Sequence, residues 1–163
     1  MRQQRLPVVS LPPFELTVAR HAATVLRVCR ALVGPDDADD AWSETFLSAL
    51  RAYPTLPADA NLEAWLVTIA HRRCVDLLRA RTRRAVPVGT PPERAAPEAA
   101  GDLDLRAALA ALPDKQRVVV ALHYLGGLPY REVAEVVGGS VDAARRAAAD
   151  GVSALRRRYR REA

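Results

Sequence analysis

The stretch LPYREVAEVVGGSVDAARRAAADGVSALRRRYRR, residues 128–161, carries helical apolar spacing on both sides of the pair Gly138-Gly139. Its first part reads as a short helix starting at Tyr130. The two glycines interrupt it, and Ser140 is placed to cap a second, longer helix that runs into a cluster of arginines. Short helix, glycine-containing turn and longer basic-ended helix form the pattern of a helix-turn-helix, whose second helix normally enters the DNA major groove. Any helical hairpin closed by glycines would share it, so the pattern alone leaves a DNA-binding and a purely structural reading open.

With Val141, Ala144, Ala148, Val152 and Leu155 as the buried face of the longer helix, its exposed side carries Asp142, Arg146, Ala149, Asp150, Ser153 and Arg157. Two acids there oppose a phosphate field, and Gly151 in a helix interior costs about 1 kcal/mol relative to alanine. The expectation is a weak reader of sequence that leans on the arginines of 156–161 for phosphate contact.

Upstream, DLDLRAALAALPDKQRVVVALHYLGG (102–127) gives two further helices separated at Pro113. The segment before it, AVPVGTPPERAAPEAAG (85–101), is rich in proline and holds two glycines, so it reads as a linker. Three helices precede the linker. The first spans about Phe14–Val33, with Leu16, Ala19, Ala23, Leu26 and Cys29/Arg30 on one face, and ends at Gly34-Pro35. DDADDAWSETFLSALRAY is the second; its acidic start suits the positive end of the helix dipole, and Ala41, Thr45, Leu47/Ser48 and Leu50 continue the period. After the loop PTLPADAN, Asn61 is a candidate N-cap for the third, EAWLVTIAHRRCVDLLRARTRR (63–84).

That third helix puts Leu66, Ile69, Ala70, Cys74, Leu77 and Leu78 on one side and Trp65, Thr68, Arg72, Asp76, Arg79 and Arg83 on the other. The second face is either a solvated charged surface or one for unpaired nucleic acid, with arginines tracking phosphates and an aromatic ring stacking on a base. The fold class is therefore all-α: a three-helix unit (14–84) and a four-helix unit (102–163) joined by the linker 85–101, behind a loose arm (1–13) holding three prolines.

The chain has 163 residues and a formal net charge of +5, which favours anionic partners. The distribution of charge is more specific. From Asp36 to Glu63 seven acids face one base, Arg51; from 64 to 84 six arginines face Asp76. An acidic module abutting a basic one implies two different partners, one basic and one anionic.

Two cysteines, Cys29 and Cys74, are too few for a disulfide framework, and neither a secretory signal nor a run of 18 apolar residues occurs. A cytoplasmic protein with free thiols and no membrane insertion is expected. His71 and Cys74 lie three apart, but structural zinc needs four ligands, so no metal or other cofactor is expected. No nucleophile, base and orienter set is visible, and His21, His71 and His123 are scattered on helices, which argues against an enzyme.

Taken in order and at this spacing, DDADDAWSETFLSAL, LEAWLVTIAHRRCVDLLR and LAALPDKQRVVVALHYLGGLPYREVAEVVGGSVDAARR resemble the bacterial extracytoplasmic-function (ECF) sigma factors over about residues 14–161. The resemblance implies that the first unit corresponds to sigma region two and the second to region four. It further implies that Asp39, Asp40, Glu44, Thr45 and Phe46 dock on the beta-prime clamp of core RNA polymerase, with the beta flap as a second contact. The loop Pro54–Glu63 would receive a flipped base of the −10 element. Asn61, Trp65, Arg72, Arg73, Arg79 and Arg83, then Ser140, Arg145, Arg146 and Arg157, would contact promoter DNA. An anti-sigma factor is a further implied partner. Arg72 and Ser43 stand where the family often has Asn and Gln, which puts its base selection in question here. The remaining alternative is a stand-alone helix-turn-helix regulator without polymerase docking, which would not need the acidic unit.

Overall fold

The computed structural model describes residues 10–84 and 100–162. The helices are α1 (Phe14–Val33), α2 (Pro35–Ala52), α3 (Leu62–Arg84), α4 (Ala100–Ala110), α5 (Asp114–Val120), α6 (Tyr130–Val137) and α7 (Val141–Glu162). A 3-10 turn, Tyr53–Thr55, follows α2, and a π turn, Ala121–Leu125, extends α5. Among the described residues there is no strand. Residues 1–9 of the expected arm and 85–99 of the expected linker lie outside the described residues, and α4 begins one residue before the expected end of that linker.

Helices α1, α2 and α3 pack on one another, and α2 turns its small residues Ala38, Ala41 and Ala49 inward, which lets its backbone approach the other two. Gly34, at φ +83°, stops α1 and lets Pro35 open α2 at once, where its missing N–H costs nothing. The end of the N-terminal segment is tied down: Tyr53 Oη donates to the Pro12 carbonyl at 2.6 Å and lies 2.8 Å from Thr17 Oγ1.

Two buried faces differ from those expected. On α1 the buried residues are Thr17, Val25, Val28, Cys29, Ala31, Leu32 and Val33, while Leu16 is half exposed. The charged residues Glu15, Arg20, Arg27 and Arg30 share the side expected to be buried, so the opposite stripe turns inward, and the hydroxyl pair with Tyr53 lets Thr17 take a core position. On α2, Leu47 and Leu50 point outward at 47% and 51% exposure, while Thr45 and Phe46 lie inside. On α3, Leu66, Ile69, Ala70 and Cys74 are buried as expected, Val67 joins them, and Leu78 lies at the rim.

In the second unit α5 and α6 pack on α7. Ser140 Oγ accepts from the Ala143 amide at 3.1 Å, the cap expected at the start of α7. Gly151 does not merely weaken that helix. A Cβ there would lie 2.8 Å from Val120 Cγ2, so the glycine is what lets α5 and α7 close on each other. Buried side chains of the two units form one contiguous cluster. Gly126 sits at the seam, where a Cβ would lie 2.8 Å from Val67 Cγ1 on α3 and 3.4 Å from Val28 Cγ2 on α1.

Candidate functional site

Three surfaces carry the residues expected at functional sites, and the first is the outward side of α2. Asp36, Asp39, Asp40, Ser43 and Glu44 are exposed, and Leu47 and Leu50 continue the surface toward the C-terminal end of the helix. Asp40, Ser43, Leu47 and Leu50 follow one another at steps of three, four and three residues, the spacing of a seam that fits another helix. Thr45 and Phe46, expected on this surface, are fully buried and 7% exposed. Thr45 Oγ1 bonds back to the Ala41 carbonyl at 2.7 Å, and the Phe46 ring packs 4.7 Å from Trp42. Their place is beneath the acidic face, inside the first unit. Leu47 and Leu50 are readable as exposed only by giving the alanines of α2 the inside, against the usual preference of leucine for the core.

The second surface runs along α3. Asn61 Oδ1 accepts from the Ala64 amide at 3.2 Å, so Asn61 does cap this helix. The line expected from Trp65 to Arg83 is divided by the second unit. Trp65, Thr68 and Arg72 line a cleft of about 700 Å³ whose other wall is Arg131, Glu132, Glu135 and Val136 of α6. Arg79 and Arg83 border a separate apolar groove with Leu32, Val75 and Leu78, closed on the far side by Arg117 and Val118 of α5. Trp65 is half buried, its ring 6.3 Å from Tyr53, which in turn meets Phe14 edge-on at 5.0 Å. One flank of the indole is thereby fixed on the core. Arg73 turns aside to pair with Asp76 at 3.2 Å, and Arg81 reaches Asp37 of α2 at 3.0 Å, an exposed pair worth little by itself.

Burial, and secondarily the neighbouring Arg72 charge, holds the His71 imidazole below its ordinary pKa, which favours its neutral form. Behind it the Cys74 thiol is pushed far up, first by its hydrogen bond with Cys29 and then by burial. Both thiols are free and fully buried, so they are core groups. Among the described residues no three His, Cys, Asp or Glu side chains gather as metal ligands do, and no helix is long and apolar enough to cross a membrane.

The third surface is α7. Asp142, Arg145, Arg146, Ala149, Asp150, Ser153 and Arg157 are exposed, and Ala144 and Ala148 are buried. Gly138 and Gly139, at φ +75° and +117°, make the turn between α6 and α7 in a backbone region that favours glycine. Arg157, Arg158 and Arg161 stand together near the end of the helix.

Residues 17–84 match sigma-70 region 2, and residues 102–155 match sigma-70 region 4. Over 156 residues the chain is 30% identical to SigK of Mycolicibacterium vanbaalenii, an ECF RNA polymerase sigma factor, covering 88% of this chain and 78% of the relative. SigE of Mycolicibacterium smegmatis, another ECF RNA polymerase sigma factor, is 30% identical over 141 residues, 79% of this chain and 54% of the relative. Among solved structures, the sigma factor RpoE of Bartonella quintana, in complex with the anti-sigma factor NepR, aligns with a TM-score of 0.77 at 21% identity over 90% of this chain and 96% of that one, a likeness of fold. CnrH, solved with the cytosolic domain of CnrY, aligns with a TM-score of 0.68 at 25% identity, covering 92% and 89%.

Proposed function

Because this chain belongs to the ECF RNA polymerase sigma factors, proteins of transcription initiation, we propose that it docks on core RNA polymerase through α2 and engages promoter DNA through α3 and α7. The observation that carries this reading is the segregation of charge within the first unit. Carboxylates of Asp36, Asp39, Asp40 and Glu44 lie exposed on α2, while guanidinium groups of Arg72, Arg79 and Arg83 lie exposed on α3. A surface with an acidic end and two outward leucines at seam spacing suits a basic helical partner, the role of the beta-prime clamp. A stand-alone DNA-binding regulator would have no use for it.

On the DNA side, the loop after α2 and the α3 face beyond Asn61 would hold the separated strand of the −10 element. No bond chemistry is required of these residues. Unstacking costs a few kcal/mol per step, and tighter binding of the extruded base and single strand than of the duplex offsets it. RNA synthesis itself would belong to the polymerase. The family's anti-sigma partners suggest that such a protein also acts on this chain.

The test is co-purification of the full chain with bacterial core polymerase, comparing the parent with an Asp40→Lys/Glu44→Lys double variant. Loss of the complex at unchanged helical circular dichroism is expected; full retention would refute the docking surface.

A further inference from the structure

The end of α5 and the start of α6 carry a stack of side chains that the proposed function does not yet use. The π turn closes with the Gly126 amide on the Ala121 carbonyl at 2.9 Å, and the Leu128 amide then bonds the Leu122 carbonyl at 3.1 Å. This wrap brings the Leu128 carbonyl to 2.7 Å from His123 Nδ1, whose N–H donates to it and fixes the imidazole plane. The Tyr130 ring lies on that plane, centroids 3.9 Å apart and 18° from parallel, while Tyr124 meets the imidazole edge-on at 4.7 Å. On α7 the Arg145 guanidinium stands 5.9 Å from the Tyr130 centroid, within cation–π range, and Asp142 of the same helix lies 3.6 Å from it, an exposed pair that adds little.

Resting on the reading of α7 as a DNA-contacting helix, we propose that Tyr130, braced by His123, is a positioning residue that presents Arg145 to DNA in a preset orientation. Arginine has several rotatable bonds and loses their freedom when it grips a phosphate or base edge. A guanidinium already drawn over a fixed ring loses less, so its contact is stronger for the same geometry. The stack also spans the angle between α6 and α7, so it sets where along the groove the cation falls. Arg146 contrasts with it: exposed one position further on, it has no ring or carboxylate contact among the described residues. The brace therefore singles out one of two adjacent arginines.

The test uses the full chain assembled on core polymerase and an upstream duplex of mixed sequence, since α7 is expected to discriminate little between sequences. Binding is compared for the parent, Tyr130→Phe, Tyr130→Leu, Arg145→Ala and the Tyr130→Leu/Arg145→Ala double variant. Tyr130→Leu should weaken binding roughly two- to fivefold, the scale of an exposed cation–π contact, and should do so only while Arg145 is present. Tyr130→Phe, which keeps the ring, should bind as the parent does. A second readout needs no DNA: in the free chain the Arg145 Nε–H resonance should carry a ring-current shift that Phe retains and Leu abolishes. Equal losses with and without Arg145, equal losses for Phe and Leu, or no shifted resonance would each overturn the proposal. A holoenzyme that assembles but binds no upstream duplex of any sequence would overturn it together with the DNA role of α7, leaving polymerase docking intact. Failure to assemble at all would count against the proposed function and is read separately from the resonance.

Discussion

Alanine in place of Gly151 sets two effects of opposite sign against each other on α7. In an exposed helix the change stabilises by about 1 kcal/mol, because glycine has the larger backbone entropy to lose. Here the new methyl would sit 2.8 Å from Val120 Cγ2 and 3.5 Å from Gln116 Cβ, closer to the valine than carbon atoms approach without repulsion. Val120 is almost fully buried on α5, and a β-branched side chain in a helix has essentially one rotamer, so it cannot swing aside. Relief must come from moving α5 and α7 apart, and overpacking of this kind costs about 1 to 3 kcal/mol. The net result is a loss of about 1 kcal/mol, which for a chain of this length lowers Tm by about 2 to 4 °C. Urea or thermal unfolding followed by circular dichroism would measure it. Val120→Ala removes the obstructing methyls, so in that background Gly151→Ala should become neutral or stabilising, with a coupling of about 1 to 2 kcal/mol between the sites. A parent-background Gly151→Ala that melts higher would refute the close-approach account.

Two further outcomes are expected. Replacing Arg72, Arg79 and Arg83 together by alanine should reduce opening of a linear promoter by the holoenzyme and flatten the salt dependence of DNA binding, since each lost phosphate contact lowers the slope by about one; undiminished opening in a permanganate footprint would make this face mere solvated surface. Asp150→Arg should strengthen duplex binding to all sequences alike, because it removes an acid from the side of α7 proposed to face DNA; a gain confined to one sequence, or a more than roughly tenfold loss on scrambling the upstream element, would make α7 a competent base reader.

The helices themselves are legible in the sequence because their ends are written in residue types with strong backbone consequences. Gly34-Pro35, Pro113, Gly138-Gly139 and the caps at Asn61 and Ser140 all fall at or next to helix ends. Which side of each helix faces inward is less legible. Periodicity finds an apolar stripe, but on α1 the stripe expected inside shares its side with Arg20, Arg27 and Arg30, and on α2 the alanines win the interior because close helix packing favours small side chains, leaving Leu47 and Leu50 outside. The same limit applies to the candidate sites. Spacing alone puts Trp65, Arg72, Arg79 and Arg83 on one line, whereas the packing of α5 and α6 divides that line between a cleft and a groove. Gly151 misleads for a related reason. Its neighbour Val120 is thirty-one residues away in sequence, and no local pattern announces that contact.

The seam at Gly126 has a consequence for dissecting this protein into parts. Val28 and Val67 are fully covered, and part of that cover is the second unit, whose backbone at Gly126 approaches too closely for any side chain. A fragment ending at Arg84 would present those valines to water, and at about 25 cal/mol per Å² of apolar surface even a modest uncovered patch is a sizeable fraction of the few kcal/mol by which small domains hold together. The halves are therefore thermodynamic partners: excising either alters the heat capacity and melting of the other, and affinities measured on isolated halves include that loss.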